Sequence, residues 1–167
     1  MRSMSIIVTS LKGGVGKSTT SIYLAAAAVE RGYDPVTVID ADPQASSAEG
    51  LVVIDTPPGN ERITQSVVAL GDAVVIPTRA GGVEYSRVLA TLELCPVSIP
   101  RGVVICAARL GTNDLEAAIG WWKEQKVEVW GVIPERVGIA AGPEARLNRE
   151  GLENYDGVLL RALRGWR

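Results

Sequence analysis

A short apolar run, Ile6-Ile7-Val8, leads into Lys12-Gly13-Gly14-Val15-Gly16-Lys17-Ser18-Thr19-Thr20, and an Ala-rich segment follows. No other string in the chain restricts its fold as much. Gly13, Gly14 and Gly16 lack a Cβ, so the backbone can take unusual dihedrals and turn its N–H groups, Val15 included, onto an anion. A helix starting near Lys17 adds its N-terminal dipole and free N–H groups. In such a loop Lys17 reaches the β- and γ-phosphates of a nucleotide and the Ser18 hydroxyl ligates Mg²⁺. Thr19 is placed to touch the α-phosphate. The general pattern G-x-x-x-x-G-K-[ST] fails at one slot, where Leu11 replaces the first glycine. The string fits K-G-G-x-G-K-[ST] instead. A plain Gly-rich turn is the alternative, and the strand–loop–helix context weighs against it.

Strand and helix signals alternate along the remaining chain. Strands are expected over 6–9, 36–39, 51–54, 73–76, 103–106 and 129–133. Helices are expected over 18–31, 63–70, 84–94, 114–126 and 152–163, with Gly32 as a stop signal for the first and Thr112 or Asn113 as a cap for the fourth. Continuous apolar strands separated by helices predict a doubly wound, mostly parallel α/β sheet with helices on both faces. Ligands of such folds bind beyond the C-terminal ends of the strands. At 167 residues the chain is read as one domain, 1–167.

Carboxylates stand at two of those strand ends. Asp40 and Asp42 close the second strand in Asp40-Ala41-Asp42-Pro43-Gln44, where a turn favouring Asp before Pro is the plain alternative. Asp55 closes Leu51-Val52-Val53-Ile54 and precedes the stiff turn Thr56-Pro57-Pro58-Gly59. A rigid buried strand that delivers a carboxylate toward Mg²⁺ is the Walker B arrangement.

Composition removes several other chemistries. The chain has no His, which takes away the commonest general base and metal ligand. Its net charge is −2, so no global basic field attracts nucleic acid. Cys95 and Cys106 lie in apolar surroundings without metal spacing and are expected as buried thiols. With neither a leader-like segment nor a long apolar span, the expected location is cytoplasmic.

The loop resembles the deviant Walker A motif of the ParA/MinD group of ATPases. That resemblance implies a P-loop fold, ATP and Mg²⁺ as ligands, slow Mg²⁺-dependent hydrolysis, and a homodimer that sandwiches the nucleotides. By it, Lys12 reaches across the dimer to the partner's phosphates. The D-x-D-P-Q string matches residue for residue, which implies that Asp42 orients the attacking water and that Asp40 helps hold the Mg²⁺ shell. The D-T-P-P string favours the ParA branch. Pro134, in Pro134-Glu135-Arg136-Val137, resembles a segment whose backbone contacts adenine. Arg109 follows Ala108, where relatives often carry a polar residue, which weakens the carry-over of its role.

The ParA resemblance further implies non-specific DNA binding, a nucleoid-associated location and a ParB-like centromere-binding partner in plasmid or chromosome segregation. Arg146, Arg149, Arg161 and Arg164 are the candidate DNA contacts, since phosphate contacts need no base reading. From Gly131 onward six arginines alternate with five acids, so a solvated helix face is the plain alternative. A MinD-like membrane-associated regulator is the alternative function; the basic tail ending in Trp166-Arg167 is the feature that raises it, and packing on the sheet is favoured. The first strand starts close to the N-terminus, which is read as no room for an operator-reading domain. Of Trp121 and Trp122, one ring is expected buried and the other partly exposed.

One spacing conflicts with the rest. Only eight residues, Pro43 to Gly50, separate the second acidic motif from Leu51. Parallel crossovers usually take a dozen residues or more. A segment absent from this sequence, which the bare return favours, is one explanation; a minimal natural variant is the other.

Overall fold

The computed structural model describes residues 3–40, 49–135 and 147–166. Six strands form one sheet: β1 (Met4–Val8), β2 (Val36–Asp40), β3 (Leu51–Asp55), β4 (Ala73–Thr78), β5 (Arg101–Ala108) and β6 (Val129–Pro134). Their order is β2-β3-β1-β4-β5-β6 and every pairing is parallel. Among the described residues five helices connect or flank them: α1 (Lys17–Glu30), α2 (Glu61–Val68), α3 (Tyr85–Leu94), α4 (Asn113–Glu124) and α5 (Arg149–Ala162).

Side chains alternate across the strands, so each contributes to two cores. Ile6, Val8, Leu51, Val53, Val75 and Val104 pack on one face with α1 and α5; Ile7, Val52, Ile54, Val74, Ile76 and Ile105 pack on the other with α2, α3 and α4. The doubly wound expectation therefore holds. Trp122 is fully buried and Trp121 half-buried, stacked on Tyr85 at 4.3 Å between ring centroids. Both cysteines are free and buried.

Local signals act where the sequence placed them, with three shifts. Gly32 has φ 83°, and the N–H groups of Gly32 and Tyr33 donate to the Val29 and Ala28 carbonyls, which ends α1 in the left-handed turn that glycine favours. Thr112 caps α4 through the Leu115 N–H. α5 starts at Arg149, three residues ahead of expectation, because the Asn148 side chain accepts from the Gly151 N–H at 2.6 Å. α2 likewise starts at Glu61 on the Asn60 cap. A 3₁₀ turn, Gly82–Glu84, precedes α3.

β2 and β3 pair in register, with Asp40 opposite Asp55. Parallel pairing over all five residues places the start of β3 beside the start of β2. Asp42, Arg136 and Arg146 lie outside the described residues.

Candidate functional site

The loop after β1 sits where β1, β3 and β4 all end. Thr9 donates its N–H to the Val75 carbonyl, Thr56 donates its N–H to the Val8 carbonyl, and the Thr56 hydroxyl donates to the Thr9 hydroxyl at 2.8 Å. These bonds lash the three strand ends together under the glycines.

Gly16 precedes α1 with φ 96° and Gly14 has φ 73°, both in the left-handed region that only glycine enters cheaply. α1 has no side-chain cap and no acid in its first turn. By contrast α2, α4 and α5 are capped by Asn60, Thr112 and Asn148. A helix start left open in this way keeps its N–H groups and positive dipole end for an external anion.

Lys17 is buried, 7% exposed, and its ammonium donates to the Lys12 carbonyl at 3.0 Å. Burial lowers its pKa, opposed by the charge of Asp55. A desolvated ammonium held to one carbonyl is poised to exchange that contact for phosphate oxygens. The Ser18 hydroxyl donates to Asp55 Oδ2 at 2.6 Å. Asp55 is 8% exposed, and burial raises its carboxyl above the usual carboxylate range, with the Ser18 bond and Lys17 opposing and Asp40 adding.

Asp55 Oδ1 is buried and has no hydrogen-bond partner. An orphan carboxylate oxygen beside a serine hydroxyl fits Mg²⁺, which takes one or two protein oxygens and completes its octahedron with phosphate and water. Among the described residues no cluster of three or more His, Cys, Asp or Glu could hold a metal unaided. Ser18, Asp55 and, at the rim, Asp40 would hold the ion, and only with a nucleotide present.

Two adjoining cavities meet at Gly14, Gly16 and Thr19. One of about 450 Å³ is lined by Gly13, Lys17, Ser18, Asp40, Asp55 and Pro57-Pro58. The other, about 310 Å³, is lined by Val15, Arg79, Cys106, Ala107, Ile133, Pro134 and Tyr155. The first has the chemistry for phosphates and metal. The second has Val15, Ala107, Ile133 and Pro134 in its wall, side chains suited to a flat apolar group such as a base. A bulge near the end of β5 puts Ala107 at φ 49° and turns it outward toward that cavity. A larger cavity, about 630 Å³, lies at the opposite end of β5 and β6, around Arg101 and Lys126, away from all these groups.

Lys12 is not free. Its ammonium pairs with Glu84 at 2.8 Å, and the other Glu84 oxygen accepts from the Arg79 N–H at 3.1 Å. The Arg79 guanidinium donates to the Gly14 carbonyl at 3.1 Å. Thr20, Tyr155 and Cys106 meet behind the loop, with the Thr20 and Tyr155 hydroxyls 3.0 Å apart. None of these partners had a sequence signal. Glu84 and Arg79 lie in an unremarkable Gly-containing turn, and only the order of strands brings β4 beside the loop.

Three of the arginines proposed for DNA lie among the described residues, each with a partner in this chain. Arg149 pairs with Glu153, Arg164 with Glu128, and Arg161 donates to the Val129 carbonyl near the base of β6. Arg109 pairs with Glu135. No helix among the described residues is long and apolar enough to cross a membrane.

Comparison with known proteins agrees with this geometry. Residues 6–148 match the CobQ/CobB/MinD/ParA nucleotide binding domain. Maintenance of carboxysome distribution protein A from Gloeobacter kilaueensis is 29% identical over 120 residues, covering 53% of this chain and 55% of that protein. The chain thus spans about half the length of that curated relative. A plasmid partition protein from Borrelia burgdorferi B31 bound to AMPPNP superposes with a TM-score of 0.77 at 18% identity, covering 98% of this chain and 99% of that one. The septum site-determining protein MinD of Pyrococcus horikoshii OT3, complexed with Mg-ADP, gives 0.73 at 17% identity, with 98% of each chain covered. These two likenesses concern the fold; the family match covers most of the sequence, and the chain belongs to the CobQ/CobB/MinD/ParA nucleotide-binding domain family.

Proposed function

We propose that this chain is a ParA-type ATPase that binds ATP with Mg²⁺, closes into a homodimer around two nucleotides and hydrolyses ATP slowly. The observation that supports it most is the cluster of Lys17, Ser18 and Asp55 at an uncapped helix start, beside a second lysine, Lys12. The loop N–H groups and Lys17 hold the β- and γ-phosphates, and Pro134 borders the base. Ser18 and Asp55 would hold Mg²⁺, which would supply charge neutralisation during phosphoryl transfer, and Asp42 would orient the attacking water. Lys12 exchanges Glu84 for the partner's nucleotide and so makes dimerisation depend on ATP.

In this reading the dimer binds DNA non-specifically through scattered arginines, on the nucleoid in the cytoplasm, and a ParB-like protein on the cargo stimulates turnover. A second reading keeps the same cycle but makes a protein body the cargo; the relative named for carboxysome distribution favours it. ATP-dependent binding to random-sequence DNA across a salt series tests the scheme. The expected result is binding only with ATP, lost steeply as salt rises. A Lys12→Ala protein that still dimerises and binds DNA with ATP would refute it.

A further inference from the structure

The turn from Arg79 to Glu84 straps the phosphate loop from outside at two points. Its far end holds Lys12 through Glu84, and its near end holds Gly14 through Arg79. The second contact falls on the peptide between Gly14 and Val15. Gly14 has φ 73°, and a Cβ placed there would meet nothing within 4 Å. The tilt of that peptide is set by ψ of Gly14 and φ of Val15, and glycine leaves the first of these loosely constrained. Its orientation matters because a trans peptide points its C=O and N–H in opposite directions. Whatever holds the Gly14 carbonyl outward aims the Val15 N–H the other way.

We propose that Arg79 is a positioning residue of the nucleotide site: by holding the Gly14 carbonyl it aims the Val15 N–H at the polyphosphate. The inference rests on the nucleotide-binding reading given above. The guanidinium is itself well placed for the task. The Arg79 backbone is anchored by its N–H on Glu84, and it follows Thr78, which is fully buried at the end of β4. Arg79 lines the base-side cavity together with Gly14 and Val15. Acting through a backbone dipole, Arg79 supports ADP and ATP alike. A direct charge contact with the terminal phosphate would instead favour ATP.

The test is the dissociation constant of Mg-ADP and of a Mg-bound non-hydrolysable ATP analogue, measured by calorimetry on the full chain. Wild type is set beside Arg79→Ala, Arg79→Gln and Arg79→Lys. Arg79→Ala is expected to weaken both nucleotides by a similar factor, about tenfold, the scale of one hydrogen bond from a charged donor. Arg79→Gln and Arg79→Lys, which keep an N–H donor, are expected to recover part of the loss. Melting of the ligand-free protein is expected to stay close to wild type, since Arg79 is exposed. Unchanged affinity in Arg79→Ala overturns the proposal. So does a loss confined to the ATP analogue that Arg79→Gln fails to rescue, because that pattern belongs to a charge on the terminal phosphate. Failure of the wild type to bind either nucleotide would sink the functional reading instead.

Discussion

Replacing Glu84 by Gln removes the charge that holds Lys12 in its own protomer. The two groups are 2.8 Å apart, and at an effective dielectric of about 20 their bare attraction is about 6 kcal/mol. Lys12 remains 43% exposed, so water screens much of that, while Glu84 is only 12% exposed. Desolvating Glu84 and ordering the lysine chain take a further share. A net of about 1–2 kcal/mol is left, in the range of hydrogen bonds to charged groups. Gln retains an oxygen to accept the Arg79 N–H, so the turn keeps its anchor.

If Lys12 must leave Glu84 before it can reach a partner's nucleotide, each protomer is released by a factor of about 5–30. A dimer needs two released lysines, so its dissociation constant is expected to fall by roughly 20-fold or more. Sedimentation velocity over a concentration series, with Mg²⁺ and a non-hydrolysable ATP analogue, reads this directly. A Glu84→Gln dimer no tighter than wild type, in protein that still binds nucleotide, would refute the reasoning. It would mean that the pair is a surface contact with no part in assembly.

Three further outcomes follow from the same structure. Asp55→Asn removes a buried charge whose carboxyl is raised by burial; ligand-free protein should melt higher, by about 2–4 °C per kcal/mol, while stabilisation by Mg-nucleotide is lost in differential scanning fluorimetry. For native Asp55 the sign is the same. Its folded carboxyl binds a proton more readily than the unfolded one, so its contribution to ligand-free stability rises as pH falls through the folded pKa, while metal binding weakens. Tyr155→Phe leaves the fully buried Thr20 hydroxyl with only the Cys106 sulfur at 3.9 Å and should cost about 1–3 kcal/mol in urea unfolding. Gly102→Ala places a Cβ 2.3 Å from the Trp130 ring, and overpacking against that buried ring should destabilise by about 1–3 kcal/mol in the same assay.

What the sequence revealed and what it hid divide along a physical line. β1, β3 and β4 were legible because each is an unbroken apolar run buried on both faces. Lys17, Ser18 and Asp55 were legible because a fixed spacing around a strand end is part of their chemistry. Glu84, Arg79, Tyr155 and Ala107 were not, since they reach the site from the turn after β4, from α5 and from the end of β5, and only the strand order makes these neighbours. The early start of α5 was missed because Leu152 opens its apolar pattern, whereas the Asn148 cap sets its first turn. Thr19, placed from the loop pattern, lines both adjoining cavities, and Pro134, placed by the family resemblance, lines the base-side one.

The short return between β2 and β3 can be weighed on the same terms. A five-residue strand spans about 16 Å and its neighbour lies about 4.8 Å away. Ten residues, 41–50, can reach about 33 Å, which is enough for the return. β2 has little cover. β2 is an edge strand, with Val38 45% exposed and Asp40 exposed, whereas all five residues of β3 are buried. The position of Asp55 is therefore fixed by β1 on one side and β2 on the other, and by its bond to Ser18. Asp40 hangs from a strand held on one side only. Within one protomer the proposed metal site draws Ser18 from α1 and Asp55 from β3, whose inner side is held by β1. The exposure falls on β2, an edge strand two places from β1 that brings only Asp40 to the site. A thin edge is in this way compatible with ordered placement of Lys17, Ser18 and Asp55, and Asp40 is the candidate metal-holding residue with the least support.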